Sequence, residues 1–150
     1  MITKILVPTD GSEAARKAAG YALSLAALSN AQVIVLSFID RSPFVGRRFV
    51  PVSPTPTHLK EPTEEFLKKD AERDVAEIEE MARNQKVANT VRIRHGHAVE
   101  EIVKEAEESG VDLIVIGSHG RSALAAALLG SISFGVIHKD TKIPVLVVRR

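Results

Sequence analysis

Apolar residues in this chain fall into five short runs, separated by longer segments in which apolar residues recur at helical spacing. The runs are rich in Val, Ile and Leu and are bounded by Gly, Pro, Asp or polar residues, as buried β-strands are. They predict strands at 3–8, 33–38, 90–95, 111–116 and 144–148.

The segments between these runs predict four helices. Ser12 is suited to cap the first, whose predicted inward stripe is Ala14, Ala18, Ala22, Leu25 and Leu28. Thr63 is suited to cap the second, at 63–86, with the stripe Leu67, Ala71, Val75, Ile78 and Ala82. The other two are predicted at 98–109 and from Ser122 to about Lys139, the latter broken near Gly130.

Strands and helices alternate along the chain, which predicts an α/β fold. We expect a five-stranded parallel sheet with helices on both faces, forming one domain over residues 1–150. In such sheets ligands bind beyond the carboxyl ends of the strands, where the strand order reverses. Four loops are therefore expected to meet at one edge: 8–12, 39–41, 95–98 and 117–122.

Residues 41–62 differ in character, because they hold five of the seven prolines of the chain together with Phe44, Phe49 and three arginines. Loops of this length inside compact domains are uncommon and are usually functional or mobile. Two interpretations stay open for this insertion: a lid or partner-binding arm, and a disordered surface segment.

Composition excludes several kinds of chemistry. Without cysteine there is no disulfide, thiolate-held zinc, iron–sulfur cluster or cysteine nucleophile. A net charge of +1 and 4% aromatic residues argue against a nucleic-acid-binding surface. His95 and His97 alone have ligand-like spacing, which is too weak to predict a metal site. With no signal-peptide pattern and no apolar stretch of membrane-spanning length, we expect a cytoplasmic protein that does not engage a membrane.

The most informative motif follows the fourth predicted strand. It reads Gly117-Ser118-His119-Gly120, then nine residues, then Gly130-Ser131. Glycines between a strand and a helix let the backbone approach a ligand, and a helix N-terminus presents N–H groups to a phosphate. The chain has no P-loop and no dinucleotide-binding glycine pattern after its first strand. Plain structural interpretations also stay open: turn glycines at 117 and 120, a helix interruption at Gly130, and a helix-capping Asp10.

Taken together, these segments resemble the ATP-binding branch of the universal stress protein family. The resemblance rests on Ile5–Ser12, on Val111–Arg121 with the glycine spacing that follows, and on Pro144–Val148. It covers the whole chain except 41–62, which is a variable region in that family. It implies the same α/β sandwich and an adenine nucleotide as ligand (ATP, or AMP or ADP), with Mg²⁺ able to accompany the phosphates.

The resemblance also implies roles for single residues. Asp10 would meet the ribose hydroxyls, and Phe38 and Ile39 the adenine, where the family often has His-Val and this chain has Ser37-Phe38. Gly117, His119 and Gly120 would approach the ribose and phosphate with backbone groups. Arg121 would add positive charge, and Gly130, Ser131 and Ser133 would hold the β- and γ-phosphates. The implied nucleotide-binding set is Pro8, Thr9, Asp10, Phe38, Ile39, Gly117, His119, Gly120, Arg121, Gly130, Ser131, Ile132 and Ser133, with no catalytic or metal-ligating residue.

A phosphate-binding loop without an obvious hydrolytic base favours a regulatory or stress-response protein that binds ATP. One alternative is a slow ATP hydrolase or adenylate-forming enzyme on the same site, and another is a nucleotide-independent dimeric interaction module. A phospho-receiver domain is disfavoured because Arg94-His95-Gly96 stands where it would need an aspartate. The apolar last strand and the resemblance predict a homodimer through residues 144–149.

Overall fold

The structure is a computed structural model that describes residues 1–40, 64–120 and 129–149. The Pro-rich insertion at 41–62, the predicted cap Thr63 and the first part of the last predicted helix lie outside these residues. Arg121 of the implied nucleotide-binding set lies outside them as well.

A parallel sheet with the strand order β3-β2-β1-β4-β5 forms the centre of the described residues. Its strands are β1 (Lys4–Pro8), β2 (Gln32–Ile39), β3 (Asn89–His95), β4 (Leu113–Gly117) and β5 (Val145–Val148). The order places β1 in the middle and makes β3 and β5 the edges. The predicted five-stranded parallel sheet is thus confirmed, with strand ends that differ by at most two residues from those predicted.

Helices cover both faces of this sheet, as predicted. They are α1 (Glu13–Ser29), α2 (Glu64–Asn84), α3 (Ala98–Glu108) and α4 (Ser131–His138). Buried side chains of α1 and α2 share one apolar cluster with the sheet, and those of α3 and α4 share a second cluster on the other face. Within the described residues, no helix is both long enough and apolar enough to cross a membrane.

The first helix begins as predicted but turns a different face to the sheet. The Ser12 hydroxyl accepts a hydrogen bond from the N–H of Ala15 at 3.1 Å, which caps the helix. Leu28, however, is 87% exposed, so its predicted place in the core is wrong. The buried face carries Ala15, Ala18, Ala19, Ala22, Leu23 and Ala26. Leu28 follows the last of these by two residues, about 200° around the helix, and therefore faces solvent.

The described part of the last predicted helix starts at Ser131. Gly130 is its N-cap, with φ −68° and ψ 157°, which agrees with the break predicted near Gly130, while the part of the prediction at 122–128 lies outside the described residues. Its carbonyl already accepts the N–H of Phe134 at 2.9 Å. A glycine cap has no side chain that could satisfy the first N–H groups of the helix, and those groups stay available for another partner.

The fourth strand also begins two residues later than predicted. The N–H of Val111 instead closes the end of α3 by donating to the carbonyl of Ala106 at 3.0 Å. Asp112 Oδ2 accepts hydrogen bonds from the N–H of Thr3 (2.8 Å), the hydroxyl of Thr3 (2.9 Å) and the N–H of Lys4 (3.0 Å). These donors hold the pKa of Asp112 below its usual value, and they tie the start of β4 to the start of β1.

Candidate functional site

A cleft opens where β1 loses its pairing with β4 and then ends at Pro8. The register of β1 with β4 contains only Ile5↔Leu113 and Leu6↔Ile114, while its register with β2 continues to Pro8↔Leu36. Since β2 and β4 follow β1 in opposite directions across the sheet, this is the point at which the strand order reverses. The observed cleft therefore lies where the sequence predicted a ligand site.

A pocket of about 340 Å³, counted with its open mouth, occupies this cleft. Its lining within the described residues includes nine members of the implied nucleotide-binding set: Pro8, Thr9, Asp10, Phe38, Gly117, His119, Gly120, Ile132 and Ser133. Residues from the ends of β1, β2 and β4 and from the start of α4 are thus brought together.

Other residues of the implied set do not line this pocket. Ile39 is buried, and its carbonyl accepts the N–H of Gly96 at 3.0 Å, which turns that carbonyl toward β3. Gly130 lies just behind the lining, and Ser131 is exposed at the start of α4. The loop 95–98 also does not reach the pocket, because it packs against the end of β2 instead.

Sequence analysis missed four lining residues, Ser12, Ala15, Ile102 and Ile116. Ser12 belongs to the loop 8–12 expected at this edge but was assigned only the role of helix cap, and Ala15 lies in the first turn of α1, which follows that loop directly. Ile102 reaches the pocket from the second turn of α3, and Ile116 from β4 one residue before the glycine turn. Ile102 belongs to the helix predicted at 98–109, but only the packing of α3 shows that it borders the cleft.

Two glycines let the backbone come close at the bottom of the cleft. A Cβ added at Gly117 would lie 2.8 Å from the carbonyl oxygen of Ala14, and one at Gly120 would lie 2.8 Å from Asp10 Oδ2. Real Cβ atoms essentially never approach this closely. The glycines therefore do more than form turns: they leave room for α1 and for the carboxylate of Asp10.

Asp10 combines a local role with a position in the pocket. Its Oδ1 accepts the N–H of Ser12 at 2.9 Å, which closes the turn into α1, and Gly11 within that turn has a φ of 75°. Its Oδ2 faces Gly120 across the cleft. Asp10 therefore closes the turn before α1 and does not cap the helix, since Ser12 is the N-cap, while the other oxygen of Asp10 lies at the pocket.

Hydrogen bonds fix the turn after β4 to the start of α4. The carbonyl of Ser118 accepts the N–H of Gly130 at 2.6 Å, and the hydroxyl of Ser133 donates to the carbonyl of Gly117 at 2.5 Å. The hydroxyl of Ser118 and Nδ1 of His119 are 2.7 Å apart, in a hydrogen bond. Gly117, His119 and Ser133 all line the pocket, so these bonds set the shape of one of its walls.

The first turn of α4 presents N–H groups to the same wall. The N–H groups of Ser131, Ile132 and Ser133 make no hydrogen bond to any part of the chain that the structure describes. Ile132 and Ser133 line the pocket. An N-terminus with unsatisfied N–H groups carries partial positive charge and is suited to bind an anion.

At the opposite end of the pocket, Phe38 offers backbone groups of its own. Backbone bonds alternate along β2: the N–H of Gln32 donates toward β1, to Thr3, whereas the carbonyl of Ile39 accepts from β3. Even-numbered residues of β2, Phe38 among them, therefore face β1. Since β1 has ended at Pro8, no described backbone group pairs with the N–H or carbonyl of Phe38 there.

Comparison with known proteins identifies the family to which this fold and cleft belong. The family model for the universal stress protein family matches residues 1–149. The chain belongs to the universal stress protein family. Universal stress protein MJ0577 of Methanocaldococcus jannaschii is 37% identical over 161 aligned positions, which cover 100% of this chain and 96% of the relative. Universal stress protein YxiE of Bacillus subtilis is 32% identical, over 99% of this chain and 100% of the relative.

Solved structures agree with this membership of the universal stress protein family. The structure of MJ0577 matches with a TM-score of 0.78 at 34% identity, covering 100% of this chain and 97% of the other. A universal stress protein in complex with cAMP matches with a TM-score of 0.67 at 26% identity, over 99% and 97%. The Archaeoglobus fulgidus universal stress protein in complex with dAMP shares the fold, with a TM-score of 0.69 at 22% identity, over 98% of both chains.

Proposed function

We propose that this universal stress protein binds an adenine nucleotide, ATP in particular, in the cleft between β1 and β4 and acts as a regulatory, stress-response homodimer in the cytoplasm. The observation that carries the proposal is the first turn of α4, whose N–H groups have no partner among the described residues and whose Ile132 and Ser133 line the pocket together with Gly117 and Gly120. This is the arrangement that a phosphate requires.

The other end of the pocket is suited to a purine base. Phe38, Ile102, Ile116 and Ile132 supply apolar walls that can cover the faces of a ring. The N–H and carbonyl of Phe38 supply one donor and one acceptor on the edge of the cleft. Adenine presents the complementary pair, a ring nitrogen that accepts and an amino group that donates. In this arrangement Phe38 alone contacts the edge of the base, whereas the resemblance implied that both Phe38 and Ile39 meet the adenine; the carbonyl of Ile39 is bonded to Gly96.

The sugar and the phosphates lie between these two ends in the proposed complex. Asp10 accepts from ribose hydroxyls, because its Oδ2 faces the cleft. The N–H groups of Ser131, Ile132 and Ser133 receive phosphate oxygens, and Mg²⁺ bound with ATP is held through those phosphates. The hydroxyl of Ser133 holds α4 onto β4 instead of donating to a phosphate.

Related proteins support an adenine nucleotide as the ligand. One relative of known structure is in complex with cAMP, and another, whose likeness shows the fold alone, is in complex with dAMP. Both ligands contain adenine and a phosphate. The pocket of this chain offers a base end and a phosphate end, which is why we extend the ligand class to it.

Calorimetric titration with ATP and with AMP tests the proposal. We expect Gly120→Ala to weaken binding by about tenfold or more, equivalent to about 1.4 kcal/mol, because the new methyl group displaces the Asp10 carboxylate. Gly20→Ala is the matched control, since nothing lies within 4 Å of the added Cβ at that position of α1. Absence of binding by the wild type, or equal binding by both variants, would contradict the proposal and favour a nucleotide-independent module.

A slow hydrolase on the same site has less support. Asp10 and His119 are the acid and base that line the described part of the pocket, and each makes a local hydrogen bond, to Ser12 and Ser118 respectively. A hydrolytic role requires one of them to orient water toward the terminal phosphate. Phosphate release that survives repeated purification and is abolished in Asp10→Ala would establish it.

A further inference from the structure

The buried hydroxyl of Ser118 is bonded to the imidazole of His119 in the turn after β4. Ser118 is only 3% exposed, whereas His119 lines the pocket. The hydroxyl oxygen and Nδ1 of the ring are 2.7 Å apart, and either group could donate, depending on the tautomer of the imidazole. The direction of this bond therefore decides which ring nitrogen of His119 carries a proton, and hence what the ring offers to a ligand.

The partners of Ser118 determine the direction of this bond. Its N–H donates to the carbonyl of Val148 at 2.9 Å, and its carbonyl accepts the N–H of Gly130 at 2.6 Å. Within the described residues, Nδ1 of His119 is the one partner of the Ser118 hydroxyl. A buried donor without an acceptor is costly, and the hydroxyl has no other described group to which it could donate its proton. The hydroxyl therefore donates, and Nδ1 of His119 accepts.

An imidazole that accepts at Nδ1 carries its single proton at Nε2 when it is neutral. In that tautomer Nε2–H is a donor, and the one lone pair of the ring nitrogens is already used by Ser118. His119 then has no basic nitrogen left to take a proton from water. The bond to Ser118 thus favours a donor and disfavours a general base at this position of the pocket.

His119 lies beside the N-terminus of α4, where the proposed function places phosphate. A Cβ added at Gly130, the N-cap of α4, would lie only 3.2 Å from the Cα of His119. We propose that Ser118 is a positioning residue that holds His119 in the Nε2–H tautomer, so that the imidazole donates to a phosphate oxygen of the nucleotide as a neutral group. The phosphate contact rests on the proposed function, whereas the tautomer is a property of the protein without ligand.

Nitrogen-15 NMR of the full chain without nucleotide tests the tautomer. The chemical shift of an imidazole nitrogen reports whether it carries a proton, and loss of signals in His119→Asn identifies those of His119 among the five histidines. At about pH 8, where an ordinary histidine is neutral, we expect an unprotonated Nδ1 and a protonated Nε2. A proton on Nδ1, alone or together with one on Nε2, would overturn the proposal.

A matched pair of variants tests the role of the Ser118 hydroxyl in the same spectra. Ser118→Ala removes the hydroxyl but keeps the backbone bonds to Val148 and Gly130, and Ser118→Thr keeps both the hydroxyl and these bonds. We expect the Nδ1 signal of His119 to shift toward the protonated position in Ser118→Ala, as the other tautomer becomes populated, and to stay in place in Ser118→Thr. An unchanged Nδ1 signal in Ser118→Ala would overturn the positioning role.

Calorimetric titrations with ATP and with adenosine test the phosphate contact. We expect Ser118→Ala to bind ATP about threefold or more weakly, and adenosine as the wild type does, because adenosine has no phosphate for His119 to contact. In a His119→Ala background, Ser118→Ala should cause no further loss of ATP affinity. An equal further loss, or an equal loss of adenosine affinity, would show that Ser118 does not act through His119.

The two readouts separate this inference from the proposed function. If the wild type binds neither ATP nor adenosine, the proposed function is refuted together with the phosphate contact, whatever the tautomer of His119. If the wild type binds ATP but Nδ1 carries a proton, the positioning role of Ser118 is refuted and nucleotide binding stands.

Discussion

The chemistry of the cleft depends as much on missing side chains as on those present. An added Cβ would lie 2.8 Å from the carbonyl oxygen of Ala14 at Gly117 and 2.8 Å from Asp10 Oδ2 at Gly120, so the backbone of α1 or the side chain of Asp10 would have to move. Gly20, in the middle of α1, has no such neighbour. The same residue type therefore has opposite consequences for stability at different positions of the chain.

Alanine substitutions at these glycines should change stability in opposite directions. Gly117→Ala should lower the free energy of unfolding by about 1–3 kcal/mol, because the backbone of α1 must move away from the new methyl group. Gly20→Ala should raise it by about 0.5–1 kcal/mol, because glycine is a poor residue inside a helix. Urea unfolding measures both, and destabilisation by both variants would contradict the contrast.

Asp112 predicts a defined pH dependence of stability. Its three donors lower its pKa in the folded protein, so its stabilising effect is complete above the unfolded pKa of about 3.9 and disappears as pH falls through the lower folded value. The difference in unfolding free energy between wild type and Asp112→Ala should therefore shrink as pH falls below about 4.

Thr3→Val provides the graded control for Asp112. It removes the hydroxyl donor but keeps the N–H groups of Thr3 and Lys4, so it should reproduce only part of the pH effect. Urea titrations at several pH values provide the measurement. If the difference in unfolding free energy between wild type and Asp112→Ala stays constant down to pH about 2, these hydrogen bonds do not lower the pKa of Asp112.

Between elements, α3 is held from two sides. At β3, Arg94 contacts Glu101 and Glu105 at 2.6 Å each, and Glu108 at 3.1 Å. Burial raises the pKa of Glu105, but hydrogen bonds from Ser109 and Arg94 outweigh it, so the pKa lies below its usual value and the pair stays charged. At α4, Gly135 packs directly on Val99.

At the contact between α3 and α4, a smaller side chain at Val99 should offset the loss of stability caused by a methyl group at Gly135. A Cβ at Gly135 would lie 2.6 Å from Cγ2 of Val99, so Gly135→Ala should push the helices apart and lower stability by about 1–3 kcal/mol. Because Ile102 and Ile132 of these helices line the pocket, nucleotide affinity should fall too.

Val99→Ala makes room for the new methyl group, so the double variant should lose less than the two single variants combined. A double-mutant cycle measured by urea unfolding gives the coupling energy, which should be about 0.5–3 kcal/mol for residues in contact. Additive effects would mean that α4 does not rest on α3 at this point.

For the whole molecule, alternation of apolar runs and helical stripes was sufficient to predict the sheet, because burial of both faces dictates that pattern. The glycine spacing and Asp10 located the cleft correctly. What could not be predicted are features set by helix rotation and packing between distant elements. Leu28 is exposed because it lies outside the helix face of Ala15, Ala18, Ala19, Ala22, Leu23 and Ala26 that packs on the sheet. Ile102 enters the pocket only through the placement of α3.

Ligand binding should stabilise the molecule as a whole. A ligand that binds only the folded state at a concentration one hundred times its dissociation constant adds about 2.7 kcal/mol to the free energy of unfolding. Thermal unfolding with increasing ATP should show this rise for the wild type and for Gly20→Ala. At the same ATP concentration Gly120→Ala should show a smaller rise, and an equal rise would place the ligand away from Gly120.

The end of β1 at Pro8 has a consequence for how the protein tolerates mutation. It leaves the peptide groups of Phe38 without a described backbone partner, as the glycine cap does for the first turn of α4, and peptide groups are present whatever the side chain. Exchange of Phe38 or Ile132 for other apolar residues therefore leaves the donors and acceptors in place. A single added carbon at Gly117, Gly120 or Gly130 does not. In a saturation mutagenesis screen for function, we expect most substitutions at these three glycines to abolish function, while apolar substitutions at the neighbouring pocket residues are tolerated.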